Sequence, residues 1–148
     1  MDYTIVDARP EHLDALETLE QLCFSMPWDR ATLASQLPDT MHVFLVAVDA
    51  SGVVQGYVGM MHVLDEGYIS NVAVAPSARR QGIGDGLIEE LLRRAKALEL
   101  AFVTLEVREH NEPAQALYRK HGFAPVGKRR NYYQAPAEDA VLMTKEFG

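Results

Sequence analysis

The sequence predicts an α+β fold: a mixed, mostly antiparallel central sheet with flanking helices. Three observations carry that expectation. Seven short runs have strand character, at residues 3–8, 42–48, 53–63, 68–74, 102–107, 124–132 and 140–147. Two amphipathic helical stretches interrupt them between the fourth and sixth runs. Strands before and after two central helices imply a mixed sheet, with one parallel pair flanking the first of those helices. At 148 residues and 48% hydrophobic composition, the chain is expected to form one domain, residues 1–148, around a single core.

The first strand runs from Tyr3 to Ala8, and a helix follows from about Pro10, with Leu13, Leu16, Leu19 and Cys23 on one stripe. Trp28 to Leu37 reads as a second short helix, with Asp29 near its start and Pro38 closing it. His42 to Val48 and Val53 to Val63 form a hairpin around Asp49-Ala50-Ser51-Gly52, and Tyr68 to Val74 extends it into a meander. The helix after Gly84 is expected to bury Leu87, Ile88, Leu91, Leu92, Ala95 and Leu98. After the strand Phe102 to Val107, Asn111 caps a helix carrying Ala114, Leu117 and Tyr118 that stops at Gly122. Ala124 to Tyr132 and Ala140 to Phe147 complete the sheet.

Bulk properties narrow the function. The net charge of −7 argues against general nucleic-acid binding and leaves room for basic peptide partners. Cys23 is the one cysteine and Asp2-Tyr3-Thr4 lacks the look of a basic, apolar leader, which favours a reducing cytoplasm. Apolar runs are too short to span a membrane. His12, His42, His62, His110 and His121 show no metal-ligand spacing, so no metal is expected. Cys23 has no evident histidine partner and reads as part of a helix stripe rather than a nucleophile.

The segment Arg79-Arg80-Gln81-Gly82-Ile83-Gly84-Asp85-Gly86 joins a strand to an amphipathic helix. Glycines let a ligand approach the backbone, and a helix N-terminus offers unpaired N–H groups with the positive dipole end behind them, so a pyrophosphate is the natural ligand. An ordinary strand-to-helix turn is the competing explanation. A triphosphatase loop would have Lys-Ser or Lys-Thr where Asp85-Gly86 stands, and a dinucleotide fold would place its glycines after the first strand. The pattern Arg79-x-x-Gly82-x-Gly84 instead resembles the acyl-coenzyme A signature of the GCN5-related N-acetyltransferases. The resemblance implies the fold of that family and a coenzyme A pyrophosphate held by the N–H groups of Arg80, Gln81, Gly82, Ile83, Gly84 and Asp85. The Asp85 side chain, unhelpful beside phosphate, is expected to point to solvent.

Further segments extend the resemblance over nearly the whole chain. Phe24-Ser25-Met26-Pro27-Trp28, Leu105-Glu106-Val107-Arg108, Ala116-Leu117-Tyr118 with Gly122-Phe123, and Arg129-Arg130-Asn131-Tyr132-Tyr133 are similar to the branch that acetylates the N-terminal alanine of ribosomal protein S18. This implies an acyltransferase that takes acetyl-CoA as co-substrate, needs no metal, and acetylates a protein N-terminal peptide, ribosomal protein S18, by direct transfer in a ternary complex. It also implies that Glu106 matches the family's general base and Tyr118 the acid that protonates the leaving thiolate. Asn111 matches a cap that also touches the cofactor, and Val72, Ala73 and Val74 match the backbone that holds the pantetheine arm and the acetyl carbonyl. Trp28, Tyr132 and Tyr133 are expected to wall the acceptor cleft.

Chemistry permits these roles. An α-amino group, with a pKa near 8, is about 2.5 units easier to deprotonate than lysine, worth roughly 3.5 kcal/mol, so a carboxylate acting through water suffices. By position alone Glu106 is equally a solvent-facing strand residue, Tyr118 an aromatic packed on the sheet, and Trp28 an anchor for the second helix. Tyr132 and Tyr133 precede Gln134-Ala135-Pro136 in an expected loop, where exposed aromatics line sites, and Arg129 and Arg130 read as a solvated edge or a substrate contact. Two other functions stay open at this level: acetylation of a lysine, polyamine or other small amine, and a non-catalytic acyl-CoA-binding regulator.

Overall fold

Seven strands form one sheet in the computed structural model, which describes residues 2–147. They are β1 (Tyr3–Asp7), β2 (His42–Asp49), β3 (Val54–Val63), β4 (Glu66–Val74), β5 (Phe102–Arg108), β6 (Ala124–Tyr133) and β7 (Glu138–Glu146), in the order β1-β2-β3-β4-β5-β7-β6. The helices are α1 (Leu13–Cys23), α2 (Arg30–Ser35), α3 (Ile83–Ala97) and α4 (Glu112–Lys120). Only β4 and β5 pair in parallel, flanking α3 as the sequence predicts, and the other neighbours are antiparallel.

Helices cover both faces of the sheet centre. Gly56 to Met60 of β3 are buried without a break, whereas a strand with one wet face would alternate. Adjacent residues point opposite ways, so a Cβ at Gly56 would meet Ile83 and Leu87 of α3, while the Tyr57 hydroxyl reaches Glu20 of α1. Leu87, Ile88, Leu91 and Ala95 fill the α3 side, and Leu16 and Leu19 the α1 side.

Three details differ from the sequence expectation. Trp28 precedes α2 rather than belonging to it, because Asp29 is the N-cap: its carboxylate accepts the Thr32 amide at 2.8 Å. Leu98 lies past the last turn of α3 and is 46% exposed, its place in the core taken by Leu100. The sixth strand runs one residue beyond the expected Tyr132, so Tyr133, opposite Glu138, stands with Tyr132 on β6 rather than in the following loop.

The sheet opens where the parallel pair fails. Pairing between β4 and β5 covers only Glu66 to Tyr68 against Phe102 to Thr104. Just beyond, β4 bulges: Gly59 faces Asn71 while Met60 faces Ile69, leaving Ser70 as the extra residue. A bulge bends its strand, and from there β4 follows β3 while Leu105 to Arg108 follow β7. A wedge opens between the two strands.

Candidate active site

That wedge is a cleft of about 730 Å³. Ile69 to Val72 of β4 form one wall and Leu105 to Arg108 of β5 the other; α4 contributes Asn111, Ala114 and Tyr118. Tyr132 to Gln134 and the connection between α1 and α2, including Trp28, close the remaining sides. The cleft therefore brings together Trp28, Val72, Glu106, Asn111, Tyr118, Tyr132 and Tyr133. Ala73 is buried instead, and the carbonyl of Val74 accepts from Arg79 Nε at 3.2 Å and from the Cys23 thiol at 3.5 Å.

Strand alternation leaves open which face of β5 is the cleft, and the structure decides it. Leu105 and Val107 are core residues, so Glu106 faces the opposite way, into the wedge, with 14% of its side chain exposed. Its Oε1 lies 3.3 Å from Arg129 Nε on β6. Tyr118 lines the same cleft from α4, its ring edge-on to Phe123 at 5.8 Å. Burial, with the neighbouring Tyr133, pushes the Tyr118 phenol well above its ordinary pKa, so it stays protonated at neutral pH. Packing aromatic and cleft-lining group are thus one residue. Asn111 caps α4, accepting the Ala114 amide at 3.2 Å, and lines the cleft as well.

The tyrosine pair is held by arginines. Arg108 lies 4.5 Å over the Tyr133 ring, and its guanidinium donates to the carbonyls of Gln134 and Pro136 and to Glu138. Tyr132 meets Tyr133 edge-on at 5.0 Å, with Arg129 over its own ring at 5.8 Å. Burial raises the Tyr133 phenol, reinforced by Tyr132 and Glu106.

The glycine segment stands apart from this cleft, at the start of α3, where Arg80, Gln81, Gly82, Ile83, Gly84 and Asp85 form the turn and first helical residues. Arg80 and Gly82 both have positive φ, 64° and 80°. Gly82 is the N-cap, so no side chain covers the first-turn amides, and the space where its Cβ would stand is open. The Tyr3 hydroxyl donates to the Gly82 carbonyl at 2.9 Å and fixes the turn. Gly84 does something else: its Cβ would lie 3.3 Å from Leu117 of α4, so it permits close helix packing. Asp85 does not simply point to solvent. Its carboxylate binds His121 Nε2 at 2.9 Å and Lys120 Nζ at 3.1 Å, which hold its pKa below the usual range.

Sequence reasoning missed Glu20. It is wholly buried, accepts the Trp28 amide at 2.7 Å and the Asn71 side-chain amide at 3.3 Å, and receives the Tyr57 hydroxyl in a short hydrogen bond. The signal was present: Glu20 falls four residues after Leu16 and three before Cys23, on the apolar stripe of α1. Among the described residues no cluster of three His, Cys, Asp or Glu has metal-binding geometry, and no helix is long and apolar enough to cross a membrane.

Comparison with known proteins converges on one family. Residues 13–123 match the family model described as the acetyltransferase (GNAT) family. The Escherichia coli (strain K12) ribosomal protein bS18-alanine N-acetyltransferase is 34% identical over 142 residues, covering 95% of each chain. The crystal structure of the ribosomal-protein-S18-alanine N-acetyltransferase from Escherichia coli superposes with a TM-score of 0.90 at 32% identity, over 98% of this chain and 94% of that one. Arabidopsis thaliana NAA60 in complex with acetyl-CoA shares the fold, with a TM-score of 0.91 at 22% identity over 99% of this chain and 100% of the other. With its sheet opening at the end of a three-residue parallel pairing and a family match over most of its length, the chain belongs to the acetyltransferase (GNAT) family.

Proposed function

We propose that the protein transfers an acetyl group from acetyl-CoA to the N-terminal α-amino group of a protein, the N-terminal alanine of ribosomal protein S18, by direct attack in a ternary complex. The observation that carries this is the presence of Glu106 and Tyr118 in one cleft, at the point where β4 leaves β5. A base and an acid are the two proton-handling groups that aminolysis of a thioester requires. The names of the Escherichia coli relative and its solved counterpart support the choice of acceptor.

The residues fit acetyl-CoA as substrate. Uncapped first-turn amides of α3, open space beside Gly82 and a carboxylate at Asp85 already ion-paired with Lys120 and hydrogen-bonded to His121 suit a pyrophosphate at the residues from Arg80 to Asp85. The edge of β4 from Ile69 to Ala73, unpaired on its β5 side, offers backbone groups to an extended arm, with Asn111 across the cleft, while the Val74 carbonyl is already engaged by Arg79 and Cys23. Acetyl-CoA supplies an activated acetyl thioester. Glu106 takes a proton from the incoming ammonium through water, the neutral amine forms the new C–N bond as the C–S bond breaks, Tyr118 protonates the departing sulfur, and the second proton shed by the new amide nitrogen returns through water to the Tyr118 phenolate. Trp28, Tyr132 and Tyr133 hold the first residues of the peptide so that its chain end enters the cleft.

Mass spectrometry after incubation with acetyl-CoA tests this, using peptides that begin Ala-Arg, free or already blocked, with lysines further along. Labelling is expected on the α-amine of the free peptide and absent from the blocked one. Efficient labelling of internal lysines in the blocked peptide would make lysine the acceptor instead.

A further inference from the structure

We propose that Glu20 is a positioning residue that sets the acceptor wall of the cleft by stapling the segment from Phe24 to Trp28 to the sheet. This rests on the N-terminal-peptide function for its kinetic consequence, though not for its structural one. Residues 24–29 contain no regular secondary structure, yet Phe24, Ser25, Met26 and Trp28 line the cleft. The same residue holds the segment at both ends: the Glu20 carbonyl accepts the Phe24 amide at 3.0 Å, and its carboxyl Oε1 accepts the Trp28 amide at 2.7 Å. The other carboxyl oxygen accepts from the Tyr57 hydroxyl on β3 and from Asn71 Nδ2 on β4, and Asn71 itself lines the cleft.

A wall built from an irregular segment needs such a tie. Without the carboxyl, only the Phe24 amide bond to the Glu20 carbonyl and partly buried side chains would anchor the segment, leaving its Trp28 end untied, and a 1 Å displacement of a substrate-positioning group is enough to cost a large part of the rate. The choice of a carboxyl is informative in itself. Burying one costs several kcal/mol before its hydrogen bonds are counted, and replacing such a group together with its polar partners by well-packed apolar side chains is often neutral or stabilising. Stability alone therefore does not single out Glu20 with Tyr57 and Asn71 over an apolar cluster in their place. What an apolar side chain cannot do is accept from the loop amide with one oxygen and from two sheet donors with the other. Burial also raises the Glu20 pKa, but a neutral carboxyl still offers Oε1 to the Trp28 amide, so the staple does not depend on charge.

Trp28 is the protein's one tryptophan, which gives a direct readout that needs no acceptor. The experiment compares acrylamide quenching of Trp28 fluorescence, acetyl-CoA affinity by calorimetry, and steady-state kinetics with the Ala-Arg peptide in the parent, Glu20→Gln, Glu20→Met and Tyr57→Phe. Glu20→Gln keeps an acceptor for the Trp28 amide and is expected to quench like the parent. Glu20→Met is expected to quench more readily and to raise the peptide KM about tenfold, the worth of one lost hydrogen bond to such a group, with acetyl-CoA affinity within about twofold. Should Glu20→Met fail to fold, Tyr57→Phe reads the same coupling from the sheet side and is expected to raise quenching with acetyl-CoA affinity kept. Parent-like quenching in the folded Glu20→Met or in Tyr57→Phe, or equal losses in peptide and acetyl-CoA binding, would overturn the proposal. A parent that leaves the peptide unlabelled would sink the acceptor assignment alone, since the quenching series still decides the staple.

Discussion

Arg129 Nε stands 3.3 Å from Glu106 Oε1, so the carboxylate that faces the cleft from β5 is met by a cation from β6, two strands away across β7. Arg129 is 52% exposed and also lies over the Tyr132 ring. A pair whose cation is this exposed contributes at most about 1 kcal/mol. Arg129→Ala is therefore expected to shift Tm by no more than ~3 °C. Its larger effect should fall on the peptide, whose ammonium reaches the same carboxylate in the proposed reaction. A several-fold change in peptide KM with an unchanged acetyl-CoA KM is the expected pattern; a large loss of Tm would make the pair structural.

Glu106 and Tyr118 should separate by pH. Glu106→Gln is expected to lower turnover ~10²–10⁴-fold at neutral pH and to recover in part as the pH passes the peptide amine's own pKa near 8. Tyr118→Phe keeps the ring packed on Phe123 but has no proton to give, so alkaline rescue is not expected. Burial raises the Tyr118 phenol, which means it stays in the acid form beyond its ordinary range. In the parent, then, no fall in kcat from this group should appear below pH ~10. Coincident pH profiles for the two variants would leave both roles without support.

The glycines divide the work at the start of α3. Gly82 has φ of 80° and open space at its Cβ position, so Gly82→Ala pays backbone strain of roughly 1–2 kcal/mol with no clash. Gly84→Val drives a branched side chain into Leu117, an overpacking expected to cost ~1–3 kcal/mol and to push α3 from α4. Calorimetry alongside thermal unfolding should find coenzyme A affinity weakened in both, with the greater Tm loss at Gly84. Unchanged affinity in a folded Gly82 variant would remove this turn from the cofactor site.

Much of this architecture was legible because it is periodic or local. Leu13, Leu16 and Leu19 announce a helix face and Asn111 announces a cap that forms as expected, whereas Asp29, legible only as near the start of its helix, proves to be the N-cap that leaves Trp28 outside it. The Leu105-Glu106-Val107 alternation located Glu106 on its own face but could not say which face is a cleft, because that depends on where β4 parts from β5. Contacts across the sheet were similarly hidden: Arg129 reads as a solvated edge until β7 places it against Glu106. Glu20 was passed over because its partners, Tyr57 and Asn71, lie 37 and 51 residues away. Leu98 misled because helical spacing continues one residue past the helix itself.

The last test concerns Asp85, a carboxylate in the first turn of a helix proposed to hold phosphate. His121 and then Lys120 lower its pKa, so the pair's contribution to stability is present above the unfolded-state value near 3.9 and fades as pH falls through the lower folded value. Since a third of the side chain is exposed, that contribution is no more than about 1 kcal/mol. Urea unfolding is expected to find Asp85→Asn less stable than the parent at pH 7, with the gap closing below pH ~4. Coenzyme A affinity separates two electrostatic accounts of the same residue. With Lys120 ion-paired to it and His121 hydrogen-bonded to it, the carboxylate should repel pyrophosphate weakly, and Asp85→Asn should change affinity by no more than about threefold at moderate salt. A tenfold or greater tightening would mean that Asp85 opposes the cofactor, and that His121 and Lys120 do not shield it.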